Sequence, residues 1–139
     1  MSENKLKHLE FIQNTITRMS TNSFIIKGWT ITLISALFVL AQKESNTTYA
    51  ILTYIAVPIF WYLNAFFLLQ ERRYRSLYDD VRIKADNLID FSMNAKSYNT
   101  ENNTLIKCLI SKTIWPIYCL MLLIPFGIYI CENHEKYCC

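Results

Sequence analysis

Three stretches of this chain carry no charge, and they restrict what it can fold into. Lys27 and Lys43 enclose 15 uncharged residues, Glu44 and Glu71 enclose 26, and Lys112 and Glu132 enclose 19. A helix needs about 20 apolar residues to cross the hydrocarbon core of a bilayer. Asn46–Gln70 and Thr113–Cys131 meet that length directly. The shortest gap gains length upstream, because the apolar run begins at Phe24. Lys27 then sits in the first turn, where its stem can stay apolar while the ammonium reaches the headgroups. Backbone groups in lipid must be satisfied within their own segment, so helices fit and open sheet does not. Two glycines and three prolines also argue against a strand-and-turn architecture. The expected fold is all-α, a single integral membrane domain over 1–139. It has three transmembrane helices, 24–41, 47–70 and 113–131, and a helical cytoplasmic extension. A removed signal peptide is disfavoured, since patterned sequence precedes Phe24 and Val39-Leu40-Ala41 is a poor cleavage site.

The charges between the gaps give direction. Residues 1–27 and 71–112 hold 12 of the 14 lysines and arginines; Lys43 and Lys136 are the other two. Basic residues stay on the cytoplasmic side. The N-terminus and the 71–112 connection are therefore expected inside a plasma (inner) membrane, with the Gln42–Thr48 turn and the 132–139 tail outside. Three spans put the two ends on opposite sides, which agrees with the charge count.

The inside portion is patterned. Leu6, Leu9, Ile12, Ile16 and Met19 recur at spacings of three and four, so 1–23 reads as an amphipathic helix. Thr21-Asn22-Ser23 is rich in capping side chains and marks a bend before the membrane. Tyr74, Leu77, Tyr78, Val81, Ala85, Leu88 and Phe91 form a second stripe, so the second span is expected to run on to about residue 95. Lys96–Thr104 reads as a polar loop. The two stripes are expected to pack against each other; the alternative is that the first helix lies in the membrane interface.

No catalytic constellation is visible. His8 and His134 fall on opposite sides of the membrane and cannot share a metal, and no glycine-rich phosphate loop exists. No cofactor and no enzymatic activity are expected. Asp79-Asp80, flanked by Arg75 and Arg82, reads as helix charges paired at helical spacing. Cys131, Cys138 and Cys139 fall at or beyond the outer interface, where a disulfide is chemically allowed.

The polar residues of the spans say more. Gly28, Thr32, Ser35 and Val39 share one face of the first span, and small or hydroxylated residues at that spacing let helices approach closely. Asn64 sits in the inner half of the second span, where a lone amide is costly unless it is paired or faces water. These five are the pore-lining candidates, with tight helix packing as the other reading. Arg72, Arg73, Arg75, Arg82 and Lys84 form a basic cluster just inside the membrane. It suits contact with anionic lipid or a portal that binds an anionic ligand such as a nucleotide.

HLEFIQ at His8–Gln13, NSFIIKGW at Asn22–Trp29 and QERRYRSLYDDVR at Gln70–Arg82 resemble a group of small bacterial three-span proteins. These are the membrane effectors of nucleotide-signalling anti-phage systems of the Hailong type. The likeness covers residues 5–85 and does not extend past residue 96. It implies a homo-oligomeric ion channel that depolarises the membrane during infection. It also implies gating by a nucleotide or short oligodeoxynucleotide messenger from a partner nucleotidyltransferase. A chain this small cannot enclose a pore alone, so a conducting path needs several copies in closed cyclic symmetry, such as a tetramer. The competing function is a non-conducting membrane scaffold that recruits a partner through its cytoplasmic helices, using residues such as Leu77, Val81 and Leu88.

Overall fold

The computed structural model describes residues 2–44, 47–99, 103–124 and 127. The described residues are helical, with no strand among them. Two long helices dominate, α1 (Glu3–Glu44) and α2 (Thr47–Ile83). A short α3 (Leu105–Leu109) and the apolar helix α4 (Trp115–Ile124) follow. Within them, Glu3–Ala41 and Ile51–Ile83 are long and apolar enough to cross a membrane.

Ser2 starts α1. Its hydroxyl accepts from the Lys5 backbone N–H at 3.3 Å, as an N-cap does, and its carbonyl accepts from Leu6. The helix then continues unbroken through Thr21-Asn22-Ser23, where a bend was expected. The reason lies across the helix pair. The Ser23 hydroxyl donates to the Asn64 carbonyl oxygen, so it is not free to cap the backbone.

α1 and α2 pack as an antiparallel hairpin. Two contacts fix their register: Lys5 Nζ donates to the Lys84 carbonyl at 2.6 Å, and Ser23 meets Asn64. At the charged end Leu9, Ile12 and Ile16 bury against Leu77 and Val81, with Tyr74 and Tyr78 at the margin. The two stripes therefore meet within one chain. Each aliphatic side chain buried here contributes about 1.5–3 kcal/mol relative to exposure. One residue differs from the stripe: Leu6 is half exposed and Lys5 is buried in its place. Lys5 is accommodated because its ammonium also lies 3.6 Å from Asp86.

The second departure concerns the end of α2. The helix stops at Ile83, twelve residues short of the expected end, and Ala85 turns extended. A continuing helix would need the Lys84 carbonyl for the Leu88 N–H. Lys5 occupies that carbonyl, and Leu88 bonds to Ala85 instead, in a 3-10 turn over Asp86–Leu88. The residues beyond prefer local bonds. Asp90 accepts from the Ser92 N–H, Ser92 from Asn94 and Asn94 from Lys96, at 3.1–3.2 Å. Ser, Asp and Asn compete with helix in this manner. Leu88 and Phe91 consequently point outward, while Ile89 and Ala95 complete the core. Within the expected polar loop, a 3-10 turn over Ala95–Tyr98 lays Tyr98 on that core. Asn103 then ties the segment to α2 through Ser76 at 3.1 Å.

At the apolar end Val57, Ala65 and Leu69 of α2 pack with Cys108, Ile114 and Tyr118. The Trp61 indole donates to the Leu109 carbonyl at 3.0 Å and stacks on Tyr118, with ring centroids 5.9 Å apart. Of the expected third span 113–131, the described residues contain the shorter apolar helix α4, and 125–126 and 128–131 lie outside them. Cys131, Cys138, Cys139, His134 and the expected external tail lie outside the described residues.

Candidate functional site

The apolar half of the molecule contains one polar layer. Ser23 and Thr30 come from α1, seven residues and therefore two turns apart on one face. Asn64 comes from the middle of α2 and Tyr118 from α4. All four are 6% exposed or less. Ser23 donates to the Asn64 carbonyl oxygen at 2.5 Å, and the Asn64 amide donates to the Tyr118 hydroxyl at 3.2 Å. Thr30 donates to the Ile26 carbonyl one turn back. The layer is neutral and mutually satisfied, so the usual penalty for burying an amide is met by its partners. It locks three helices in register. It contains no carboxylate, thiol or imidazole.

The five pore-lining candidates do not come together within one chain. Asn64 is enclosed by α1, α2 and α4. Gly28, Thr32, Ser35 and Val39 are exposed on the outer side of α1. Thr32 satisfies its hydroxyl on the Gly28 carbonyl at 3.0 Å. A Cβ at Gly28 would meet nothing within 4 Å, so no contact inside the chain requires glycine there.

The basic cluster also disperses. Arg75 is paired with Glu71 at 2.8 Å, Arg82 with Asp79 at 3.8 Å and Lys84 with Asp80 at 2.5 Å. Arg72 turns toward the α3–α4 connection and donates to the Ser111 hydroxyl at 3.3 Å. Arg73 donates to the Asn99 side chain at 3.0 Å, leaving its buried Nε without a partner. Burial pushes the neighbouring Cys108 thiol up, with Arg72 and Arg73 pulling the other way. Three of the five charges are thus offset by acids on α2, and the other two tie loops to α2.

No family model, curated protein or solved structure matches the chain. Among the described residues no cluster of His, Cys, Asp and Glu could hold a metal. Sequence reading identified Asn64 but missed Ser23, Thr30 and Tyr118. The two α1 hydroxyls carry a legible signal, a seven-residue repeat of small polar side chains within an apolar run. Tyr118 carries none, since a tyrosine in an apolar helix is unremarkable until its partner is known.

Proposed function

We propose that this chain is an integral plasma-membrane protein. Helices 24–41, 47–70 and 113–131 cross the bilayer, with the N-terminus and 71–112 in the cytoplasm. It works as one protomer of a cyclic homo-oligomeric ion channel, an anti-phage effector gated from the cytoplasm by a nucleotide or oligonucleotide messenger. One observation carries the reading. Of the most apolar 18-residue stretch of α1, only 6% is buried inside the chain. That bare helix presents Gly28, Thr32, Ser35 and Val39 outward, a face with small side chains and hydroxyls amid aliphatics. Lipid contact needs neither. Close approach of a second helix, or water along a shared axis, uses both.

A scaffold working through Leu77, Val81 and Leu88 is less well supported, because α1 covers the first two and leaves only Leu88 of the three exposed.

Purified protein in liposomes should pass ions. Replacing Ser35 or Thr32 by Phe should cut the flux several-fold by filling a narrow ring of side chains, while Phe at the exposed Ile55 of α2 should not. A bilayer that stays tight at every protein density, with and without nucleotides, would sink the channel. Equal flux from all variants would move the conducting path away from α1.

A further inference from the structure

The chain that leads into α4 is tied to the side of α2. The Trp61 indole donates to the Leu109 carbonyl at 3.0 Å, and Arg72 donates to the Ser111 hydroxyl at 3.3 Å. Trp61 and Arg72 are eleven residues apart, about 17 Å along a helix, and the 109–111 turn is bonded to both. Cys108 and Ile114 join the same buried core as Ala65 and Leu69. The uncharged run of α2 ends at Gln70. The turn therefore lies beside the last turns of that run, and not beyond its end.

α3 presents three kinds of surface. Leu105, Cys108 and Leu109 pack on the protein, with Cys108 fully buried. Ile106 and Ile110 stand one turn apart, since the Ile110 N–H donates to the Ile106 carbonyl at 3.1 Å, and they are 68% and 65% exposed. Trp115, at the start of α4, is 43% exposed. Lys107 and Lys112 are exposed as well, and no acidic residue occurs between Glu101 and Glu132. Bare aliphatics, a tryptophan and lysines, with no acid among them, suit a segment at the boundary between acyl chains and headgroups.

We infer that residues 105–115 form an anchor in the inner leaflet that binds anionic phospholipid. Ile106, Ile110 and Trp115 enter the upper acyl region, while Lys107 and Lys112 meet lipid phosphate. The inference rests on the reading that α1, α2 and α4 cross a bilayer, and it moves 105–112 out of the cytoplasm and into the leaflet. Two features select this partner. The first is charge: the anchor carries lysines and no acid, whereas Arg75, Arg82 and Lys84 of the basic cluster each meet an acid on α2. The second is depth: the anchor lies beside the apolar run of α2, where lipid is the surrounding medium and a water-borne partner does not reach.

The test places a fluorophore on the exposed face of α3 in the full-length protein. In Ile106→Trp, the fluorescence gained over wild type reports that position. In phosphatidylcholine liposomes with bromines near the headgroup end of the acyl chains, the gained signal should be quenched. Aqueous iodide should quench it several-fold less than it quenches free tryptophan. With the bromines moved to a minor fraction of phosphatidylglycerol, quenching should exceed that from the same fraction of brominated phosphatidylcholine. Lys112→Gln in this background should reduce the preference by about fivefold, the effect of one lysine at an anionic surface. Lys7→Gln, near the start of α1, should leave it unchanged. A gained signal open to iodide and untouched by bromolipid overturns the anchor; the membrane reading survives that result if bromolipid still quenches the wild-type tryptophans, and falls with the anchor if it does not. Equal quenching by the two bromolipids, or a preference that Lys112→Gln leaves intact, overturns the assignment of anionic lipid. A change of assembly size in Ile106→Trp overturns the proposal in favour of a subunit contact.

Discussion

The two halves of α1 obey different rules. From Lys5 to Ile16 the helix buries five side chains against α2 and the 84–98 segment. Over 24–41 Thr30 is the one buried residue, and Phe24, Trp29, Ile31, Leu33, Val39 and Leu40 are exposed. The same continuous helix is covered where it is polar and bare where it is apolar. In water this would be inverted, because apolar cover is what drives packing there. In the bilayer proposed above that drive would be absent, and only polar groups and close-fitting small residues would need partners. α2 lies between the extremes, with 22% of its most apolar stretch buried by α1, α3 and α4.

That contrast can be broken by deleting the same side chain from each half. Ile12 is fully buried and Ile31 is half exposed. Ile12→Ala should cost about 2–5 kcal/mol, the transfer and cavity terms of a closed core. Ile31→Ala should fall within about 0.5 kcal/mol in a membrane mimic. Thermal or denaturant unfolding in micelles compares them directly. Equal losses would mean that the apolar half of α1 is as tightly covered as the charged half, and the division would fail.

Within the apolar half, the polar layer should matter more than any aliphatic on its outer face. Asn64→Leu strands the Ser23 hydroxyl, at about 1–3 kcal/mol, and leaves the Tyr118 hydroxyl with the Phe60 carbonyl at 3.4 Å. Ser23→Ala in that background should be nearly neutral, whereas in the wild type it removes a bond worth about 0.6–2 kcal/mol. A double-mutant cycle measures the coupling. Additive losses would show that Ser23 and Asn64 do not share a bond.

Much of this fold was legible in the sequence, and the exceptions share a cause. The uncharged gaps and the 3–4 spacing of Leu9, Ile12 and Ile16 are properties of one segment, and they yield α1, α2 and the paired stripes. The end of α2 coincides with Lys5 donating to the Lys84 carbonyl, a contact 79 residues apart in the chain. No periodicity reports that. The bend expected at Thr21–Ser23 fails for the same reason, since Ser23 bonds across to Asn64 and not along its own helix. The basic cluster looked convergent because positive residues were counted together. Glu71, Asp79 and Asp80 sit three and four residues from their partners and offset them locally. The contact of His8 with Phe91 was not legible at all, because it exists only after the chain turns at Ala85.

The smallest expected effect probes that turn by pH. The Asp80 carboxylate accepts from Lys84 and from the Tyr98 hydroxyl, which hold it below its ordinary value of 3.8, Lys84 most strongly. Burial, with Asp80 beside it, pushes the Tyr98 phenol up to about 12. The fold thus favours an ionised Asp80 and a neutral Tyr98. Asp80 contributes fully above pH 3.8 and loses its contribution as pH falls through its lowered folded value. Tyr98 contributes fully below its unfolded value near 10 and loses its contribution as pH rises toward 12. Asp86, lowered chiefly by the Ser2 backbone N–H, adds to the acid limb. Protection of the 89–98 amides, taken relative to the intrinsic exchange rate at each pH, should therefore be greatest across the neutral range and fall at both extremes. Tyr98→Phe should shrink the alkaline limb and leave most of the acid limb, which Lys84 and Ser2 maintain. Because the bonds lie only at the charged end, amides of 28–40 should keep their protection throughout. Acid-induced exchange that began in α1's apolar half would reverse the order of stability assigned to the two regions.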